Sequence, residues 1–309
     1  MSTISLPCQL LCASASAYAI STTDPCGQYN PLVPGSPFQN QYDAIGFVVD
    51  PYVVTSDQIE AALVGQTANG IIVAFRGTLP PAMNWDSFFD WLQDFMAPTT
   101  SNINLPGEVH EGFLFALNSL RGGIVDAIQA LDPTGSLPIY ITGHSKGGGI
   151  APIAAMYFRN AYRLNITQTI TFAGPNCGNT DFVNAYNATF PNDVRYENYL
   201  DIVPLLPPDS EFINLLLGIP GLPVDFVKVM NDMRAYDYQP VGNLMYINSS
   251  AVAKPYNSIE AEILLPLRMG EIVEKILLLD LSAIGDAHHA SCGHRYMQGT
   301  CSGTTICPV

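Results

Sequence analysis

Gly143-His144-Ser145-Lys146-Gly147 is a stretch whose residue types and spacing suit nucleophilic chemistry. A serine between two glycines, after an apolar run (Leu137–Thr142) and before small, helix-compatible residues, fits a strand–turn–helix elbow. The glycines leave room for a sharp turn that holds Ser145 in a strained conformation, its hydroxyl displayed at the positive end of the following helix. A hydroxyl is a weak nucleophile until a base takes its proton and a third group orients that base. Three of the chain's five histidines follow Ser145: His288, His289 and His294; His110 and His144 precede it. For the orienting acid, Asp201 stands just past an apolar run, in a loop set by prolines, Tyr199-Leu200-Asp201-Ile202-Val203-Pro204. From position alone it competes with the reading of a surface-turn or capping aspartate. Acyl transfer would also need backbone N–H donors aimed at the developing oxyanion, and one should be the amide of Lys146, directly after the serine.

The elements that must position these groups are legible in the pattern. Segment 45–54, residues 58–64 and residues 70–75 read as early antiparallel strands, and Arg76-Gly77-Thr78 ends the last of them. Glu111–Leu131 has helical spacing, with Phe113, Leu117, Leu120, Ile124, Ile128 and Leu131 on one face, and Asp132-Pro133-Thr134-Gly135 stops it. Past the elbow helix, which runs to about Arg163, residues 167–172 and 194–199 are β-rich. Alternating strands and helices in this middle third predict an α/β fold with a mostly parallel sheet. Ser145, Thr78, Gly174 and Asp201 each follow a predicted strand, and sites gather at the carboxyl ends of parallel strands. Later come a broken helical segment over 211–235, a short strand near 244–248 and mixed helical spacing over 263–281.

Composition narrows the class. Of 309 residues 48% are hydrophobic, and no apolar run reaches the roughly 18 to 20 residues of a membrane span. A net charge of −15 with 12 Lys and Arg argues against nucleic acid and anionic membrane surfaces as partners. Seven cysteines include Cys26, Cys292, Cys301 and Cys307, which flank the body and suit terminal staples in an oxidising compartment. Cys8 and Cys12 lie four apart with no matching Cys/His cluster at zinc spacing, so no metal is expected. Segment 6–19 is apolar with small residues but lacks a basic leader; it reads as a first amphipathic helix rather than a signal peptide.

Several blocks, in order, resemble the class 3 lipase family of α/β hydrolases, which includes filamentous-fungal triacylglycerol lipases. They are Val73-Ala74-Phe75-Arg76-Gly77-Thr78 with Asn84-Trp85; Val109-His110-Glu111-Gly112-Phe113; the elbow itself; residues 172–179; Asp201-Ile202-Val203-Pro204-Leu205-Leu206-Pro207-Pro208; and residues 238–242. The resemblance spans roughly residues 45–300, which implies one α/β-hydrolase domain over 1–309. It implies Asp201 as the acid, 56 residues after the serine, and Thr78 as the second oxyanion donor beside Lys146. Lys146 departs from the commoner Leu or Gly, a change of little weight for a backbone role. His110 and Arg76 read as structural, Arg76 tying its loop to a carboxylate. His144 has no proton-transfer role in the family.

The base is the open position. Ala287-His288 matches the family's upstream side and leaves an insertion before Tyr296; His294 matches the downstream side one residue short; His289 is the third choice. His288 is the assignment carried forward. Two segments are candidate covers for an apolar acyl site. Residues 82–97 set Trp85, Phe88, Phe89, Trp91, Leu92 and Phe95 against Asp86, Asp90 and Asp94, and 211–235 follows the acid loop. The expected function is carboxylic-ester hydrolysis, foremost of acylglycerols, with no cofactor and with a lipid or small ester as partner, a lipid–water interface being one place to meet it. Phospholipase A1, feruloyl esterase and a catalytically inactive lipid- or protein-binding module are the alternatives. Terminal cysteines and the resemblance are compatible with secretion, but there is no clear signal peptide and the sequence leaves the location open.

Overall fold

The computed structural model describes residues 4–18, 20, 42–56, 60–78, 95–222, 224–278, 280–291 and 293–301. Its centre is an eight-stranded sheet. In chain order the strands are β1 (Tyr52–Ser56), β2 (Glu60–Thr67), β3 (Gly70–Phe75), β6 (Ile139–His144), β7 (Ile166–Phe172), β9 (Val194–Asn198), β11 (Asn243–Ile247) and β12 (Ala253–Tyr256). They lie side by side in that order. The five from β3 to β11 run parallel, and antiparallel pairs close both edges. A short antiparallel sheet joins β4 (Thr99–Ser101), β5 (Glu108–His110), β8 (Gly178–Asn179) and β10 (Tyr238–Gln239).

The strands are apolar on both faces because helices cover both, as parallel sheets require. With the two-residue repeat of a strand, Ile71, Val73 and Phe75 enter one core while Ile72 and Ala74 enter the other. The first core takes α2 (Glu111–Leu131) and α3 (Lys146–Tyr162). It also takes α5 (Ser210–Leu217), α6 (Val224–Met233), α7 (Ser258–Leu277) and α8 (Leu281–His288). The second holds α1 (Leu6–Ala17) and α9 (Arg295–Thr300). The remaining helix, α4 (Thr180–Thr189), follows β8.

Helix α2 has the bounds its spacing predicts, and its buried face carries Phe113, Leu117, Leu120, Ile124 and Ile128. The late helical segment begins earlier than its apolar residues suggest. Asn257 accepts from the Glu260 amide and Glu260 from the Asn257 amide, a capping box that starts α7 at Ser258.

One expectation needs correction. Helix α1 is buried almost all round rather than amphipathic, with nine of its twelve residues buried, Gln9 and Ser14 among them. The helix lies against the sheet under α9, so its polar groups bond inward: Gln9 donates to the Ile45 carbonyl, and Ser14 meets the Thr142 hydroxyl at 3.0 Å. The terminal staple exists, but it joins Cys8 to Cys301. Cys26, Cys292 and Cys307 lie outside the described residues. Cys12 sits beside the bridge as a free, buried thiol whose pKa burial lifts to about 12.

Candidate active site

Parallel strands β3, β6 and β9 each bring a candidate site residue to their carboxyl ends, and β7 anchors the turn between them. At the end of β6 the chain turns through Ser145, with φ +58° and ψ −132°, and enters α3 at once. A non-glycine residue with those angles costs on the order of 1–3 kcal/mol, so surrounding packing must impose it. That packing is visible at Gly147, where a Cβ would stand 2.2 Å from the Phe75 carbonyl oxygen. Helix α3 can therefore start hard against the end of β3 only with glycine there. The Ser145 amide donates to Phe172 O at 3.0 Å, which ties the turn to β7.

Asp201 follows β9 and is fully buried. Its Oδ1 accepts from the Val203 amide at 3.0 Å, and its Oδ2 from the Tyr296 hydroxyl at 2.7 Å. His288, the last residue of α8, sets Nδ1 3.0 Å from both carboxylate oxygens and Nε2 2.8 Å from Ser145 Oγ. With the carboxylate as acceptor, Nδ1 carries the proton and Nε2 is free to accept from the serine. The three candidate histidines are thus separated by geometry. His289 and His294 pack against one another 4.9 Å apart, and His294 donates to the Asp286 carbonyl.

The backbone around His288 is held as firmly as its ring. His144 Nε2 donates to the His288 carbonyl at 2.7 Å, and Asn198 Nδ2 donates to the Ala287 carbonyl at 2.7 Å. Since His144 Nε2 is the donor, its Nδ1 accepts from the Tyr18 hydroxyl at 2.8 Å. Burial, and then the charge His288 would carry, push His144 far below the usual imidazole range, so it stays neutral in that relay. Tyr296 in turn accepts from the Asn198 amide at 3.0 Å. Burial and the Asp201 charge push its phenol well up, keeping it an O–H donor.

The oxyanion candidates sit where the elbow meets the end of β3. Lys146 opens α3, so its amide has no intrahelical partner. Its ammonium pairs with Glu60 on β2, which leaves the backbone for the site. Thr78 is exposed after Gly77, and a Cβ at Gly77 would lie 2.0 Å from the Tyr18 hydroxyl and 2.7 Å from the His144 carbonyl. The loop carrying Thr78 is thereby pressed onto the elbow. The Arg76 guanidinium donates to the Ile20 carbonyl, which ties the end of β3 to the chain after α1. His110 is structural too, capping α2 through Nδ1 while Nε2 donates to Phe95 O at 3.0 Å. Burial lowers its pKa to about 4.

Of the two cover segments, residues 82–94 lie outside the described residues, and Phe95 packs in the main core. Segment 211–235 forms α5 and α6, which bury Phe212, Ile213, Leu216, Phe226, Met230 and Met233. Sequence reasoning missed Tyr18, Asn198 and Tyr296. Tyr296 had a signal, an aromatic soon after the histidine cluster, whereas Tyr18 comes from 127 positions before the serine it adjoins and has none.

A mostly parallel sheet with an elbow serine, a late histidine and an acid after β9 defines a protein of the α/β-hydrolase fold. Residues 72–211 match the family model described as lipase (class 3). The chain is 31% identical over 142 residues to the secreted mono- and diacylglycerol lipase 1 of Fusarium solani, covering 45% of this chain and 39% of that protein. It is 28% identical over 182 residues to the chloroplastic phospholipase A(1) DAD1 of Arabidopsis thaliana, covering 53% and 38%. The triacylglyceride lipase of Rhizomucor miehei superposes with a TM-score of 0.55 at 19% identity, covering 85% of this chain and 90% of that one. At that identity the likeness is one of fold. The chain spans about two fifths of the length of these two curated relatives. No helix among the described residues is long and apolar enough to cross a membrane.

Proposed function

We propose that the protein hydrolyses carboxylic esters, foremost acylglycerols, through an acyl-enzyme on Ser145. The observation that carries this is the unbroken run from Asp201 through His288 to Ser145, closed by the 2.8 Å contact between Nε2 and Oγ. Ser145 Oγ bonds to the ester carbonyl carbon as its proton moves to His288 Nε2. The carbonyl oxygen, now negative, meets the amides of Lys146 and Thr78. Each such donor is worth about a hundred- to a thousandfold in rate. The carbon–oxygen bond of the leaving alcohol then breaks, and Nε2 returns the proton to that oxygen. Water repeats both steps on the acyl group and frees the acid. Asp201 orients the ring and stabilises its charged form. The chemistry calls on no cofactor or metal.

An intact, fully hydrogen-bonded constellation argues against an inactive binding module. The Fusarium relative supports acylglycerols, and the net charge of −15 disfavours anionic phospholipid surfaces. The Arabidopsis relative supports phospholipids as the second reading. We take 1–309 as one hydrolase domain, with α5 and α6 as a cover beside the acid loop and residues 82–97 as the other. The bridge between Cys8 and Cys301 supports an oxidising, exported location.

The test is labelling of the folded protein by a serine-reactive alkyl phosphonate, with hydrolysis rates on tributyrin, phosphatidylcholine and a feruloyl ester. Tributyrin should be cleaved fastest, by about tenfold or more, each tenfold being about 1.4 kcal/mol of barrier. Absence of label on Ser145 with no ester cleaved would sink the proposal.

A further inference from the structure

Helix α1 lies on β6 in register. Thr142 and His144, two positions apart on the strand, share one face and stand about 6.6 Å apart along it. Ser14 and the C-capping Tyr18, four positions apart on α1, share one face and stand about 6 Å apart along the axis. The two spacings match, so the helix reaches both strand residues at once. Ser14 Oγ meets the Thr142 hydroxyl at 3.0 Å, and the Tyr18 hydroxyl meets His144 Nδ1 at 2.8 Å. Both ends of this docking are fastened. Cys8, in the first turn of α1, is bridged to Cys301 after α9. The Ile20 carbonyl, just past Tyr18, accepts from the Arg76 guanidinium.

The Tyr18 hydroxyl stands where one proton decides a contact at the base. Burial pushes the phenol up, so it remains an O–H donor. Burial, and then the charge on His288, keep His144 neutral, with a single N–H to place on one of its two nitrogens. The phenol proton occupies the Nδ1 lone pair, so the imidazole N–H is on Nε2. That nitrogen lies 2.7 Å from the His288 carbonyl, and the His288 ring lies 2.8 Å from Ser145 Oγ. The opposite tautomer would set the Nε2 lone pair against the carbonyl oxygen, a repulsion that moves the His288 main chain.

We propose that Tyr18 is a positioning residue of the esterase site: its hydroxyl selects the His144 tautomer that holds the His288 main chain, and so fixes the imidazole over Ser145. The inference rests on the reading of Ser145, His288 and Asp201 as a hydrolytic triad. It gives α1 a part in the reaction although no residue of that helix belongs to the triad. Tyr296 on α9 holds Asp201 at 2.7 Å. The Cys8–Cys301 bridge therefore fastens together the two segments whose tyrosines hold the base and the acid.

Tyr18→Phe keeps the ring and removes the hydroxyl. On p-nitrophenyl butyrate its kcat should fall about three- to tenfold, the range of one neutral hydrogen bond, with KM within about twofold of the parent. The double variant with His144→Phe should match His144→Phe alone within about twofold, because residues that act through one path do not add. A merely structural tyrosine would give additive losses. The tautomer is read apart from turnover, by NMR of the full chain with isotope-labelled histidine nitrogens, His144→Phe identifying the signals. At about pH 7 the parent should show His144 neutral with its proton on Nε2, and Tyr18→Phe should show both tautomers. The parent spectrum stands as the test if Tyr18→Phe fails to fold. Parent-like kcat in folded Tyr18→Phe, additive losses in the double variant, or a parent His144 with its proton on Nδ1 would each overturn the proposal. Failure of the hydrolase reading looks different: no ester is cleaved and Ser145 takes no phosphonate, while the histidine spectrum still decides the tautomer.

Discussion

Removing the Tyr296 hydroxyl, with Tyr296→Phe, separates orientation of the acid from the rest of the site. The phenol donates to Asp201 Oδ2 at 2.7 Å and accepts from the Asn198 amide at 3.0 Å, and all three groups are buried. Phenylalanine keeps the ring packed and deletes both bonds. A hydrogen bond to a charged acceptor contributes about 1.5–3 kcal/mol, and a buried amide left unpaired costs about 1–3 kcal/mol. The variant should therefore lose about 3–5 kcal/mol of folding stability, within the sum of those ranges. The rate effect is smaller, because Asp201 still holds the Val203 amide and the His288 Nδ1 proton. A loss of about 1–2 kcal/mol in the transition state corresponds to roughly 5- to 30-fold in kcat/KM. It should fall on kcat with KM little changed, since the hydroxyl bonds to Asp201 and Asn198 rather than facing the serine. Urea unfolding and steady-state kinetics on p-nitrophenyl butyrate measure the two effects. Parent-like kcat in a destabilised variant would reduce Tyr296 to scaffolding, and no change in either would refute the reasoning.

Two further expectations concern stability. Cys8→Ser opens a bridge that spans 293 residues of sequence, so reversible denaturation should show a loss of about 3–5 kcal/mol, and dithiothreitol should do the same to the parent. His110, held at about 4 by burial against an unfolded value near 6.5, favours the folded state only while neutral. That contribution is complete above about pH 6.5 and is lost as pH falls toward 4, amounting to about 3 kcal/mol in all. Asp193, raised by burial to about 6, acts in the opposite sense, its penalty easing as pH falls through that range. The measurement is therefore the difference between parent and His110→Gln. The parent should lose more stability than the variant between pH 7 and 4, and parallel curves would contradict the assignment.

The parts of the site that were legible in the sequence are those whose chemistry is local. A serine between glycines needs only its flanking strand and helix, so it is readable from a few neighbours. Asp201, by contrast, competes from position alone with a surface-turn aspartate and is singled out only by the family resemblance. Helix α2 is readable to its ends because its apolar stripe and the Asp132-Pro133 stop agree. The base was not readable, since choosing among His288, His289 and His294 depends on where α8 ends relative to an elbow more than 140 positions earlier. Helix α1 misled for a related reason. Its Gln9 and Ser14 look solvent-facing in a periodic pattern, yet each finds a partner on a strand or loop distant in sequence. Tyr18 and the Cys8–Cys301 bridge depend wholly on that docking.

The account rests most directly on His288 as the base. Single alanine changes at His288, His289 and His294, assayed for kcat/KM on one soluble ester with far-UV circular dichroism to confirm folding, test it. His288→Ala should lower activity by about four orders of magnitude or more, as loss of one member of a cooperating triad does. His289→Ala and His294→Ala should stay within about threefold, a barrier change under about 0.7 kcal/mol. Near-full activity in folded His288→Ala, or an equal collapse in His294→Ala, would contradict it.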